Sequence, residues 1–199
     1  MLGYGADMEN QPGRRERKKA QTRKALADAA LELFLARGYD QVAVKEVANA
    51  ADVSVTTLFK YFPTKEALVF DLDAEIETGL MAAVRERAPG RSIPRALREH
   101  ILNWVDEVTT SPHTEAFTRL IEQTPALRAY GARMWLRHET TLARTIAADI
   151  GAPEEDVTCA ALARFALESV DLARRYPDAP QALGPIFDLL ERGWSAARP

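Results

Sequence analysis

A single cysteine in 199 residues, Cys159, excludes an intrachain disulfide framework, and no Cys/His grouping has the spacing of zinc ligands. Only three histidines occur, at 100, 113 and 138, none with an acid or thiol partner at a catalytic spacing, and no glycine-rich phosphate loop is present. No metal, cofactor or catalytic set is expected, which argues against an enzyme. No apolar run approaches the ~20 residues of a membrane span, and the first residues lack the basic-then-apolar order of a signal peptide. A cytoplasmic chain with no membrane partner is the expectation. Alternating apolar runs that would read as strands are missing too, and lysine disappears after Lys65.

What remains is helical pattern, unevenly charged. With 47% apolar and 28% charged residues the chain is globular, long enough for one ordinary domain and a small one. The net charge of −3 hides a division along the chain. Between Arg14 and Lys65 there are 11 Lys or Arg against 6 Asp or Glu, whereas Glu66 to Pro199 holds 15 Arg against 21 acids. A basic end on an acidic chain is the footprint of phosphate neutralisation, and double-stranded DNA is the partner it fits.

The basic end has a legible order. Residues 1–13, with Gly3, Gly5, Pro12 and Gly13 and no apolar period, read as a disordered N-terminus. The run from Arg14 to Lys19 reads as the start of a helix, an arm for a minor groove, or a solvated charge run. A first helix is predicted over about 17–37, because Leu26, Ala29, Ala30, Leu33 and Phe34 make one stripe that Gly38 ends. Val44, Val47, Ala48 and Ala51 mark a second helix, which Asp52-Val53-Ser54 breaks. Ser54 is placed to cap a third, in which Leu58 and Phe62 turn inward and Val55, Thr56, Thr57, Lys60 and Tyr61 lie near the other side. Such small, hydroxyl-bearing or cationic groups suit a major groove. Pro63 stops that helix and Thr64 can cap the next.

These residues resemble the helix-turn-helix of the TetR family of bacterial transcriptional repressors. The likeness rests on Ala51-Asp52-Val53-Ser54, Thr57-Leu58-Phe59-Lys60-Tyr61-Phe62 and Lys65-Glu66-Ala67-Leu68, with Thr22-Arg23, Ala29-Ala30, Leu33-Phe34 and Gly38-Tyr39 before them. It implies an all-α fold in which a three-helix DNA-binding domain, residues 14–64, precedes a larger helical ligand-binding and dimerisation domain, residues 65–199. It also implies a DNA-facing set of Arg23, Ser54, Val55, Thr56, Thr57, Phe59, Lys60, Tyr61 and Lys65. Thr57, Tyr61, Lys65 and Arg23 would touch phosphates, Val55, Thr56 and Lys60 would face bases, and Phe59 would meet a thymine methyl. The chain departs from the family pattern where Val42 and Ala43 replace a capping Thr, Asp52 and Thr56 replace small residues, and Phe59 replaces Tyr.

Beyond Thr64, helices are predicted at about 65–87, 93–109, 113–123, 125–149, 153–175 and 181–197. They are separated at Pro89-Gly90, Ser111-Pro112, Thr124-Pro125, Gly151 with Pro153, and Pro177 to Pro180. Apolar faces carrying Trp104, Phe117, Tyr130, Met134 and His138 are the candidate ligand-binding residues, although a solid core would show the same pattern. His138 reads either as a ligand's hydrogen-bond partner or as a core histidine satisfied by a neighbour. The helix over 153–175 is apolar nearly all round and must be buried on two sides. Its Arg164, Glu168, Asp171 and Arg175 read as a rim stripe, and Cys159 as a small buried hydrophobe.

By the same resemblance, the last two helices of each of two chains would form a four-helix homodimer interface, with Leu162, Phe165, Val170, Ile186, Leu190 and Trp194 as its candidates. The segment Leu120 to Arg128 is similar to the mycofactocin-regulator-like branch, which implies a small apolar or acyl-type effector, with Arg128 and Arg133 near its anionic group. A sequence-specific repressor released by such an effector is the function implied; a non-specific architectural DNA binder is the alternative.

Overall fold

The computed structural model describes residues 13–110 and 113–197; the expected disordered tail, apart from Gly13, and the Ser111-Pro112 break lie outside them. Among the described residues there are helices and turns and no strand, and they divide into two compact units, one ending at Asp71 and the other beginning at Leu72.

The first unit is built on α1 (Arg14–Arg37), whose Leu26, Ala27, Ala30 and Phe34 are buried. Arg14 to Lys19 belong to this helix and are exposed, which answers the choice between helix and arm. Gly38, at φ +86°, donates its N–H to the Phe34 carbonyl at 2.9 Å and ends α1 in a conformation most side chains resist. α2 (Val44–Ala50) follows without the hydroxyl cap that Val42 and Ala43 cannot supply. Glu46 takes the role from inside the helix: its Oε2 accepts the Ala43 N–H at 2.8 Å, while Oε1 accepts from Arg37 at 2.7 Å.

Asp52 carries the turn at φ +52°, the left-handed region in which glycine is usual. α3 (Val55–Tyr61) then starts on Ser54, whose Oγ accepts the Thr57 N–H at 3.1 Å. Phe62, extended before Pro63, ends α3 and is buried with Leu58, Val47 and Ala48.

The helix predicted over 65–87 is two elements. Thr64 Oγ1 accepts the Ala67 N–H at 3.3 Å and starts a single 3₁₀ turn, Glu66–Leu68, that buries Ala67 and Leu68. The chain then leaves helical bonding while the Asp71 carbonyl accepts from Arg23 Nη2 at 2.7 Å, and resumes in α4 (Asp73–Arg85). The boundary between units thus falls after Asp71 rather than at Thr64, because Ala67, Leu68 and Val69 are all buried in the first unit.

The second unit consists of α4, α5 (Ile93–Thr110), α6 (Thr114–Gln123), α7 (Pro125–Asp149), α8 (Val157–Ala173) and α9 (Ala179–Ala197). α7 packs on α4 and α8, and α9 on α5 and α8. Their inward stripes form one core around Leu80, Val84, Leu97, Ile101, Leu142, Ile146, Ala166, Leu183 and Phe187. α8 begins four residues later than Pro153, because Asp156 Oδ1 accepts the Cys159 N–H at 2.9 Å and so fixes its first turn. Asp178 does the same for α9 through the Gln181 N–H at 2.9 Å. Cys159 is buried at 0% exposure within this core and is not in a disulfide.

Candidate nucleic-acid interface

α3 is seven residues long, and burial of Leu58 decides which side faces out. Ser54, Thr56, Phe59 and Lys60 are exposed, and Val55, Thr57 and Tyr61 are half-buried. Ser54 Oγ and Thr57 Oγ1 also lie 2.9 Å apart, so the hydroxyls at the start of α3 hold each other. Phe59, at 46% exposure, stands out on an otherwise polar and cationic face.

Arg23 and Lys65 stand differently. Arg23 donates to the Tyr61 carbonyl at 3.2 Å and to Asp71 at 2.7 Å, with its guanidinium 4.4 Å from the Phe62 ring centroid. Lys65 Nζ donates to the Tyr39 carbonyl at 2.5 Å and lies 4.1 Å from the Tyr39 ring centroid. Burial pulls the Lys65 ammonium below the usual lysine range, against the pull of Asp40, Glu66 and Glu46. Burial first, then Glu66, holds the Tyr39 phenol well above its ordinary value, so it stays protonated. Both cations expected at phosphates are therefore engaged with the unit's own backbone and aromatic faces.

In the second unit a cavity of about 460 Å³ opens between α4, α5, α7 and α8. Its walls include Ile76, Leu80, Ile101, Leu167, Trp104 and Trp135, with Glu75, His100, Asn103 and Glu107 as the polar groups. The two tryptophans meet edge to face at 6.0 Å. A second hollow of about 690 Å³ shares Trp104 and carries Arg119, Arg174 and Arg175 together with Glu115, Glu122 and Asp171.

Of the expected ligand-binding residues, Trp104 lines both hollows, whereas Phe117, Tyr130, Met134 and His138 line neither. Met134 and His138 are buried. His138 is the satisfied core histidine at one nitrogen: Nε2 lies 2.7 Å from Asp73 Oδ1, Trp135 stands edge-on to its ring at 5.3 Å, and Nδ1 has no hydrogen-bond partner. Arg137 also grips Asp73. Arg128 is tied to the Glu122 carbonyl at 2.9 Å and Arg133 lies over Tyr130 at 6.0 Å, so neither lines these hollows.

The expected dimer residues also divide. Leu162 and Val170 are core residues, and Val170 lines the smaller cavity; Phe165 is 55% exposed, and Ile186, Leu190 and Trp194 are half-buried. The large apolar side chains most exposed on α8 and α9 are Val157, Phe165, Leu172 and Leu189, of which only Phe165 was expected. Trp135, Glu75 and Asp73 were missed for a common reason. Each lies beside a stripe rather than on it, and only a three-dimensional neighbour gives it a role.

The comparisons with known proteins agree with this geometry. Residues 26–72 match the family model for bacterial regulatory proteins of the tetR family, and residues 88–195 match the MftR C-terminal domain. The chain is a TetR-family transcriptional regulator. Such a regulator binds DNA through its N-terminal helix-turn-helix, here α2 and α3, and carries a larger helical C-terminal domain, here α4 to α9. It is 31% identical over 195 residues to MftR of Mycobacterium tuberculosis, a protein named for regulation of mycofactocin biosynthesis, covering 89% of this chain and 93% of that one. It is 35% identical over 158 residues to the transcriptional regulator TcmR of Streptomyces glaucescens, covering 74% of this chain and 68% of the relative. Among solved structures, a TetR-family regulator from Streptomyces coelicolor A3 superposes with a TM-score of 0.61 at 20% identity, covering 92% of this chain and 97% of the other. These relatives are regulators, not enzymes.

Proposed function

We propose that the chain acts as a homodimeric repressor that recognises a near-palindromic operator and is released when a small molecule enters the cavity of its C-terminal domain. The observation that carries the reading is the outward face of α3, where Thr56, Phe59 and Lys60 are exposed on a helix fixed from behind by Leu58, Phe62 and Arg23. Lys60 and Thr56 face bases, Phe59 offers a thymine methyl an apolar contact, and Ser54, Val55, Thr57 and Tyr61 flank them. Arg23 and Lys65 act first as braces of the head, and Lys65 adds charge toward phosphate.

A helix this short makes few base contacts, so a two-fold pair about 34–36 Å apart supplies the selectivity. The exposed apolar side of α8 and α9, with Val157, Phe165, Leu172 and Leu189, supports pairing of two copies. A ligand releases DNA only through its differential affinity for a dimer of the wrong spacing, and a decisive shift needs roughly 10⁴-fold preference.

Binding of the full chain to DNA from beside its own gene, challenged with excess random duplex, tests this. Retention on the specific fragment by a species sedimenting as a dimer is expected. Equal loss to any competitor sinks the reading in favour of an architectural binder.

A further inference from the structure

The side chains that line the cavity between α4, α5, α7 and α8 are unevenly charged. Its lining contains Glu75 and Glu107 and no lysine or arginine. His100, the remaining titratable group, is pushed below its ordinary value by burial, against the opposing pull of Glu107, and adds little positive charge at neutral pH. Its ring is seated against α4: a Cβ added at Gly79 would come within 2.6 Å of His100 Cε1, so the bare backbone there is what admits the imidazole. Trp104 and Trp135 present ring edge and face at 6.0 Å in the same wall, and Leu80, Ile101 and Val170 close it with apolar surface. The volume, about 460 Å³, is in the range that holds a drug-sized molecule.

Acids, aromatic faces and missing cations together select by charge. An anionic head group entering here meets like charge and no cation in the lining: Arg128 reaches the Glu122 carbonyl, Arg133 lies over the Tyr130 ring, Arg137 pairs with Asp73, and none of the three lines the cavity. A cation meets carboxylates at the rim and π-faces within. We propose that this cavity takes an aromatic organic cation, a protonated or quaternary centre carried on ring systems. The proposal rests on the reading of the cavity as the effector site and names the chemistry of its ligand.

Two ions of nearly the same shape and opposite charge separate the possibilities: tetraphenylphosphonium and tetraphenylborate, titrated calorimetrically into the full-length protein. The phosphonium is expected to bind at least about tenfold more tightly than the borate. Trp135→Leu, at a side chain that lines this cavity and not the neighbouring one, is expected to weaken the phosphonium more than the borate and so narrow the preference. A Glu75→Gln, Glu107→Gln variant is expected to lose the preference while keeping its helical circular dichroism. Equal or tighter binding of the borate, binding of neither ion, or a preference untouched by Trp135→Leu overturns the proposal. Should the double variant not fold, the wild-type ratio and Trp135→Leu still decide it. Competition by random DNA, run without either ion, judges the regulator reading separately, so each can fail alone.

Discussion

Arg23 Nη1 donates to the carbonyl oxygen of Tyr61 at 3.2 Å, so a side chain of the first helix holds the last residue of the recognition helix. The cation sits where a helix presents unpaired carbonyls and the negative end of its dipole. The same guanidinium covers the Phe62 ring and reaches Asp71, so one residue ties α1, α3 and the end of the unit together.

Arg23→Ala is therefore expected to lower the stability of the N-terminal unit by about 1–3 kcal/mol, as loss of charged hydrogen bonds does. Arg23→Lys is not expected to restore it, since an ammonium cannot make the fork. Urea unfolding followed by circular dichroism checks both; an unchanged midpoint with only a flatter salt dependence of DNA binding would mark Arg23 as a plain phosphate contact.

Asp52 sits at φ +52° in the turn between α2 and α3. Asp52→Gly is expected to stabilise the head by about 0.5–1 kcal/mol, and Asp52→Val to destabilise it by more, since a β-branched side chain tolerates that backbone poorly. Thermal unfolding midpoints give the order.

Glu46 is held below the usual carboxylate range, first by the Ala43 N–H and then by Arg37. A depressed folded-state value means stability that is present above the unfolded-state value, about 4.3 for Glu, and is lost as pH falls through the lower folded one. Glu46→Ala should thus lower the unfolding midpoint at pH 7, and the difference from wild type should narrow below about pH 4. A difference that is constant with pH would remove the charge from the explanation.

Asp73 is the partner of a histidine at 0% exposure. Asp73→Ala leaves His138 Nε2 buried without a partner and is expected to cost about 1–3 kcal/mol, whereas Arg137→Ala, which removes a half-exposed arginine, should cost under about 1 kcal/mol. Unfolding of the two variants side by side checks the contrast.

Phe165→Glu and Leu189→Glu change exposed positions on α8 and α9 and leave the core intact. Each is expected to convert a dimer to a folded monomer, seen by sedimentation, and to reduce operator affinity by at least about tenfold, since a lone recognition helix makes too few contacts.

The helical architecture was legible because periodic stripes and caps are local signals. Ser54, Gly38, Thr64 and Pro125 do in the structure what their chemistry announces. The break after Leu68 was not legible, because it depends on Arg23, 48 residues away from Asp71. Nor was the replacement of a missing threonine cap by Glu46, which only the folded turn brings to Ala43. Periodicity placed Met134 and His138 on an inward face, yet inward proved to mean core; Trp135 beside them reaches the cavity. A pattern of apolar residues reports burial and does not distinguish packing from a lined hollow. Leu162 and Val170 were assigned outward by the same ambiguity on a helix apolar nearly all round.

Sequence recognition by the outward face of α3 is tested most directly by recovering bound duplexes from a random DNA pool with the wild-type chain and with Lys60→Ala. A single near-palindromic sequence is expected for the wild type, with half-site centres about 34–36 Å apart. The Lys60→Ala pool should keep that spacing and relax at one position in each half-site. Recovery of no preferred sequence, or of the same sequence with undiminished preference at every position by both proteins, would contradict a reading helix built around Lys60.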